Sequence, residues 1–433
     1  MKAYFDAWPW WLATLRTALV SRALWLLYCV CVDWAFADHA AKGVTEFDLA
    51  SSLSFSLSTF TKWDSAHFLN LAARGYKHEM EAVFFPLYPT IVGKVAKCTQ
   101  ELISHRVLFA NTLVATSLLV NGIYYCLSCL LLWLLLEKWR VSLKWRKMCV
   151  VTVYIIFNPM AAFATTCYSE SQYSFFAWLG MYLLEVSNPW GGCGAIIAFF
   201  MASWTRSNGI LNTIFGISTF LKGYRRRSVR LLAVGAGVCL ASALPLVLND
   251  LANFRCFCAP ASAGGSMIYA EICGSLGECS DMPNPPLWAP LMSEYVAHVT
   301  ANGGLYYSHL QKKFWNVGLL SSFTLKQLPN IMLATPIVLI AGNTLSSCTS
   351  CTSSKLRGAP WWHLLANLLL GLTVAHVQIT TRLLLAACPL MYFGIVDLII
   401  AQEEKSTRPW VLVFVVLFSV GGAALHCNFF PWT

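Results

Sequence analysis

At 433 residues, 57% hydrophobic and only 12% charged, with a mean hydropathy of +0.59, this chain has too few charges to cover its apolar surface in water. That excludes an ordinary soluble domain and leaves an all-α polytopic membrane protein with lipid as its solvent. The net charge of +10 does not point to nucleic acid, because Lys and Arg sit in short clusters beside apolar runs and form no long basic tract.

The first apolar run covers residues 18–37. Its opening has Arg16 and Arg22, an apolar core and the small-residue pattern AFA at 35–37, which is also the shape of a cleavable signal peptide; Asp33 and Trp34 near the cleavage position argue for a retained span. Either way the next segment, 38–106, is delivered to the far side of the membrane. Further apolar runs lie at 107–135, 148–167, 171–186, 192–221, 231–248, 328–346, 360–377, 383–400 and 409–426. The basic linkers EKWRVSLKWRK (137–147) and KGYRRRSVR (222–230) are cytoplasmic by the positive-inside rule. Parity then decides two segments. FFPLYPTIVGKVAK (84–97), short and lysine-marked, is a helix lying in the interface, and the polar break TRSNG (205–209) turns 192–221 into a hairpin of two short helices. The expectation is about eleven crossings, residues 1–433 as one domain, a cytosolic N-terminus, and far-side loops at 38–106 and 249–327.

Most of the unusual polar residues fall on that far side, in 38–106, YSES (168–171), TRSNG, 249–327, HVQITTR (376–382) and the tail HCNFFPWT (426–433). A transporter places its polar groups near the midplane of repeated halves, and no such repeat is visible. Of the 17 cysteines most are scattered through apolar runs. Cys256, Cys258, Cys273 and Cys279 share the long loop, where an oxidising compartment gives one or two disulfides of open pairing.

No P-loop, dinucleotide fingerprint, nucleophile elbow or H-E-x-x-H motif occurs, so any chemistry falls to carboxylates, arginines and amides on loops and helix ends. Asp64 follows Trp63 and precedes His67 by three residues, which puts both on one face if this stretch is helical. A partly desolvated carboxylate at a membrane boundary can serve as a general base. It can equally cap a helix over 65–73. Glu79 and Glu81 read as solvated loop charges. Asn158-Pro159 breaks the 148–167 run and frees backbone groups that must be buried. Glu170, Arg206 and Arg382 stand at far-side span ends, where charge marks function or merely reaches the interface, and arginine suits phosphate.

WDSAHF, GYKHE and FFPLYP, then FNP (157–159), YSES, RSNG (206–209), FWNVGLL (314–320), LPNIMLATP (328–336), HVQITTR and HCNFFPWT resemble the family of GPI mannosyltransferase II, the PIG-V type, in the family's order from residue 63 to the C-terminus. The resemblance implies a GT-C type transmembrane helix bundle in the endoplasmic reticulum membrane, with the active site in the first lumenal loop and interfacial helices following it. It implies transfer of the second mannose, in α1,6 linkage, from dolichyl phosphate mannose to the mannosylated glycosylphosphatidylinositol precursor, with inversion at the sugar carbon. Asp64 then matches the acidic residue of the first loop and is the base, with Glu79 second, as a partner orienting the acceptor or His67. Arg206 and Arg382 are candidates for the donor phosphate. Trp63, His67, Glu170, Asn208, Trp315, Asn316 and Gln378 are candidates for sugar or lipid-head contacts. No second acid stands beside Asp64 as a metal pair requires, so the expected transfer needs no metal and no cofactor beyond the lipid-linked sugar. A small accessory membrane subunit is an expectation from the family alone. A lipid transporter or scramblase, and a non-catalytic subunit of another lumenal transferase, are the rival classes.

The orientation has a direct check. A glycosylation acceptor inserted within 140–146 is expected to stay unmodified in microsomes; its modification overturns the parity argument.

Overall fold

Proline, glycine and charge decide where the helices of this chain stop. The computed structural model describes residues 9–39, 45–103, 107–186, 190–257, 295–297, 299–301, 304–350, 356–404 and 410–430. Among these residues there is no strand. Helix α1 spans Trp10–Ala35, α2 Asp64–Arg74, α3 Leu87–Leu102 and α4 Phe109–Lys138. A π-helical run Met148–Ile156 and a short helix Ala161–Thr165 lead to α5, Glu170–Glu185. Next come α6 Gly191–Thr205, α7 Thr213–Arg225 and α8 Val229–Phe257, with a tight 3-10 stretch Ser207–Asn212 between α6 and α7. Helix α9 is Tyr306–Trp315, α10 Leu328–Ser350, α11 Ala359–Thr373, α12 Thr380–Ala387, α13 Leu390–Glu404 and α14 Trp410–Cys427.

Among the described residues five helical stretches are long and apolar enough to cross a membrane alone: α1, α4, α8, Leu325–Cys348 and α14. The pair Val377–Ala387 and Leu390–Ile400 makes a sixth if counted as one span bent by 97°. The other expected spans are short or broken helices. The 148–167 run breaks at Asn158-Pro159, where proline supplies no amide and forces the preceding residue out of helical geometry. Its freed backbone groups are answered internally: Asn158 Oδ1 accepts from the Met160 amide at 3.1 Å, and Asn121 Nδ2 donates to the Thr166 carbonyl at 2.6 Å.

The expected hairpin at TRSNG is present. Gly192 lies against Val234 and Gly237 against Ile196, so α6 runs with α8. Gly216 lies against Cys239 and Gly223 against Leu231, so α7 runs back the other way. Residues 84–97 form most of α3, which buries Tyr88, Val92 and Ala96 against α2 and α4 and leaves Lys94 and Lys97 exposed. Gly93 is required there, since a β-carbon would come within 2.3 Å of the Ala72 carbonyl oxygen.

The long loop 249–327 is partly helical. Helix α8 continues to Phe257, where Asp250 accepts from the Tyr295 hydroxyl (2.6 Å) and from the Tyr306 (3.0 Å) and Tyr307 amides at the start of α9. Ala82, Val83, Phe254, Tyr295, Tyr306 and Leu310 form a separate apolar cluster over this end of the bundle. Cys256 is disulfide-bonded, while Cys258, Cys273 and Cys279 lie outside the described residues.

The reading of Glu81 as a solvated loop charge is wrong. Glu81 is 1% exposed and receives both Arg74 Nη atoms (2.7 and 3.1 Å) and the Lys77 and His78 amides (3.0 and 3.1 Å). Gly75, at φ 75°, reverses the chain after α2 so that Glu81 can return onto Arg74. Burial raises the Glu81 carboxyl, but Arg74 and the two amides outweigh it and hold it below its ordinary 4.5. A depressed carboxylate contributes stability above the unfolded value and loses it as pH falls through the folded one. Glu81→Gln is therefore expected to cost about 3 kcal/mol at neutral pH. Thermal unfolding in detergent should show the gap to wild type closing below pH 4.5, and a gap independent of pH would overturn this account.

Candidate active site

Four of the sequence-selected charges meet, although they come from distant parts of the chain. Asp64 is the first residue of α2 and Trp63 its N-cap. Trp63 has φ 58°, uncommon for a residue with a β-carbon, and such strain is held only where surroundings demand it. The Asp64 carboxylate does not cap its own helix. Its amide donates to the Tyr168 hydroxyl at 3.2 Å, and its Oδ2 accepts from Arg382 Nη1 at 2.8 Å. Arg382 Nη1 also stands 3.6 Å from Glu170 Oε1, and Arg206 Nη1 stands 2.6 Å from the same oxygen. The order Asp64, Arg382, Glu170, Arg206 thus alternates charge across α2, α12, α5 and the turn after α6.

Each position has a local cause. Glu170 opens α5, where the helix dipole favours a carboxylate. Arg206 sits in extended geometry at the end of α6, and its Nη1 also donates to Ser169 Oγ at 3.2 Å. Arg382 lies in the first turn of α12, its guanidinium over the rings of Phe163 (5.0 Å) and Tyr168 (5.7 Å). Glu170 is fully buried, whereas the Asp64 side chain is 31% exposed, so Asp64 is the carboxylate a substrate can reach. Burial raises the Asp64 carboxyl, and Arg382, followed by His67 and Arg206, more than offsets it, leaving it below its ordinary value.

Beside this centre is an aromatic shelf. His67 stacks on Phe84 (4.7 Å) and meets Trp315 edge-on (6.4 Å), while Phe84 also meets Trp315 at 6.0 Å. Burial lowers the His67 imidazole more than Asp64 and Glu81 raise it, so it is held below its ordinary 6.5. Trp63 Nε1, His67 Nδ1 and His426 Nε2 are buried without hydrogen-bond partners among the described residues.

Other selected residues stand elsewhere or do other work. Among the described residues Glu79 makes no hydrogen bond or ion pair with Asp64 or His67; it accepts from Tyr306 Oη at 2.9 Å and pairs with Lys313, which fastens α9. Asn208 is buried in the 3-10 turn. Asn316 is exposed and caps α9 in left-handed geometry. The Gln378 backbone N–H donates to His376 Nδ1 at 3.4 Å, at the entry to α12. Sequence reasoning missed Tyr168, Ser169 and His426, all inside motifs already singled out; His426 lies 5.5 Å from the Tyr168 ring. It also missed Lys62, one residue before Trp63. Lys62 is 4% exposed and binds Asp33, Asp38 and the Cys427 carbonyl, tying the ends of α1 and α14 to the loop that carries Asp64. Among the described residues no three His, Cys, Asp or Glu side chains gather in a way that could hold a metal ion.

Fold and site define a polytopic helical membrane protein with a carboxylate–guanidinium centre at one end of its helices. The chain belongs to the mannosyltransferase family of the PIG-V type, whose family model matches residues 14–356. It is similar to GPI alpha-1,6-mannosyltransferase 2 of Mus musculus, 27% identical over 97% of this chain and 98% of that one. GPI mannosyltransferase 2 of Drosophila melanogaster is 26% identical over 96% and 99%, and that of Schizosaccharomyces pombe 24% over 86% and 73%. Among solved structures, the oligosaccharyltransferase of Archaeoglobus fulgidus aligns with 95% of this chain and 55% of its own length, at 11% identity and a TM-score of 0.44.

Removing one member of a buried ion chain leaves its partners uncompensated. Glu170→Gln is expected to destabilise the protein by about 3 kcal/mol, with part of the loss recovered in the double variant Glu170→Gln/Arg206→Met. Unfolding of the purified variants in detergent measures this, and a Glu170→Gln protein as stable as wild type would contradict it.

Proposed function

We propose that this chain adds the second mannose, in α1,6 linkage, to the mannosyl-glucosaminyl-phosphatidylinositol intermediate of GPI-anchor biosynthesis. The donor is dolichyl phosphate mannose, and the reaction takes place on the lumenal side of the endoplasmic reticulum membrane. The curated relatives named as GPI mannosyltransferases, covering nearly the whole chain, support the reaction. The observation that carries the mechanism is the Asp64–Arg382 pair at a reachable edge of a buried chain of charges.

Asp64 takes the proton from the acceptor's 6-hydroxyl as that oxygen attacks the anomeric carbon of the donor mannose. The bond from that carbon to the phosphate oxygen breaks, and dolichyl phosphate leaves with the electron pair. A single displacement turns the β-linked donor into an α-linked product. Arg382 and Arg206 hold the phosphate as its charge grows, since guanidinium binds phosphate oxygens with two parallel donors. Glu170 is a positioning residue that keeps both guanidiniums aimed at one place. Arg382 also sets the timing. With no donor bound, it holds Asp64 as a weak base; a phosphate that takes over Arg382 removes that restraint, and the desolvated carboxylate becomes more basic when the acceptor needs it. The unpartnered Trp63 Nε1 and His67 Nδ1 are suited to sugar hydroxyls, with the Phe84–Trp315 shelf covering the ring. Arg206 and Arg382 supply positive charge at the leaving group, and no second acid stands beside Asp64 to form a metal pair, so the proposed transfer is written without a metal.

In cells lacking the second GPI mannose, wild-type chain should restore surface GPI proteins and Asp64→Asn, expressed at the same level, should not. In microsomes the substitution should cut transfer by about 10²–10⁴-fold, while a chelator should leave wild-type transfer unchanged. Rescue by Asp64→Asn would remove Asp64 as the base, and activity lost to chelation and restored by a divalent ion would overturn the metal-free mechanism.

A further inference from the structure

In chain order Arg206 precedes the α7 N-terminus by seven residues and Arg382 follows the α11 C-terminus by nine. The outer faces of these two helices carry something different. A groove of about 620 Å³ runs between them, lined by Ile214, Ile217, Leu221, Trp362, Leu365 and Leu369 among others, with Lys222 and Arg225 at its mouth and no acidic residue in its lining. Buried Phe215 and His363, with ring centres 5.0 Å apart, join the two helices. Ile217, Leu221, Trp362 and Leu369 are about half exposed (49–57%), so the groove faces outward from the bundle. In a chain whose helices cross a membrane, an outward apolar groove is bathed by lipid. Helix α7 is 13 residues long, which puts the basic mouth about 18 Å from the hairpin turn behind Arg206.

The two cations at the mouth differ from those at the centre. Arg206 and Arg382 are each paired with carboxylates, whereas the exposed side chains of Lys222 and Arg225 make no ion pair or hydrogen bond among the described residues. Simple snorkelling accounts for cations scattered round a helix end. It does not account for two of them lining the same preformed groove of about 620 Å³ as a row of apolar side chains.

We propose that the groove between α7 and α11 is a binding site for an anionic membrane phospholipid, its phosphate on Lys222 and Arg225 and an acyl chain along the apolar walls. Charge complementarity selects an anionic head over a zwitterionic one, and the apolar walls select a lipid over free phosphate. The site is separate from the charged centre and does not depend on the reaction assigned to it.

The test uses full-length protein in phosphatidylcholine nanodiscs containing a minority of phosphatidylserine, with retained lipids counted by native mass spectrometry after release into detergent. Wild type should retain phosphatidylserine selectively. Lys222→Gln/Arg225→Gln should lower that retention about tenfold or more, and Ala366→Phe, which fills the groove and leaves the charge intact, should lower it as well. Arg226→Gln/Arg227→Gln removes equal charge from the adjoining exposed linker and should have little effect. Equal loss in the linker variant would show a general basic collar and overturn the site. So would unchanged retention in the charge or filling variant when both unfold at the wild-type temperature, or displacement of the lipid by inorganic phosphate.

Discussion

A guanidinium taken out of water must stay paired, and Arg382 meets that requirement between Asp64 and Glu170. Because Glu170 also holds Arg206, one carboxylate fixes two cations, and four separate elements have to end at the same place. The irregularities of the bundle serve that convergence. The break at Asn158-Pro159 lets the chain reach Tyr168 and Ser169 before α5 begins. The turn after Thr205 brings in Arg206, and the 97° bend at Cys388-Pro389 separates the helix of Arg382 from the apolar helix that follows it. Uninterrupted spans would have kept these backbone groups satisfied but would have carried the charges past one another.

The centre needs a second restraint, because Asp64 sits on a loop-borne helix and not on a span. Lys62 supplies it just before α2, as a buried cation shared by Asp33, Asp38 and the Cys427 carbonyl. Arg74 supplies it at the other end of α2 through Asp48 and Glu81. With both ends pinned, the strained Trp63 can be held in place and the Asp64 carboxylate is aimed at Arg382 instead of its own helix. The α9 segment is clamped over the same surface by Asp250 and Glu79, and that clamp brings Trp315 to the His67–Phe84 shelf.

The two ends of the α7–α11 pair show how one residue type serves two purposes. At the charged centre arginine is enclosed, paired and aligned. At the groove the cations are exposed and make no ion pair among the described residues.

What the sequence determined by itself is what depends on local physics. Apolar length set the helical runs, TRSNG and Asn158-Pro159 set two breaks because polar turns and proline act on their own neighbourhood, and the lysines of 84–97 marked α3 as a helix with a polar face. That Asp64, Arg206 and Arg382 are charges in need of partners was also legible, since charge among apolar residues is costly wherever it falls. Their pairing was not: Arg382 and Asp64 are 318 residues apart, and no spacing rule reaches so far. Glu81 was misread although its partner is only seven residues away, because the return onto Arg74 depends on the turn at Gly75 and on burial that composition does not reveal. Glu79 and Glu81 are alike in sequence, and only the tertiary structure sent one to α9 and the other to Arg74. It likewise made Lys62 a buried anchor, since the two acids and the carbonyl that neutralise it come from the ends of the first and last apolar helices.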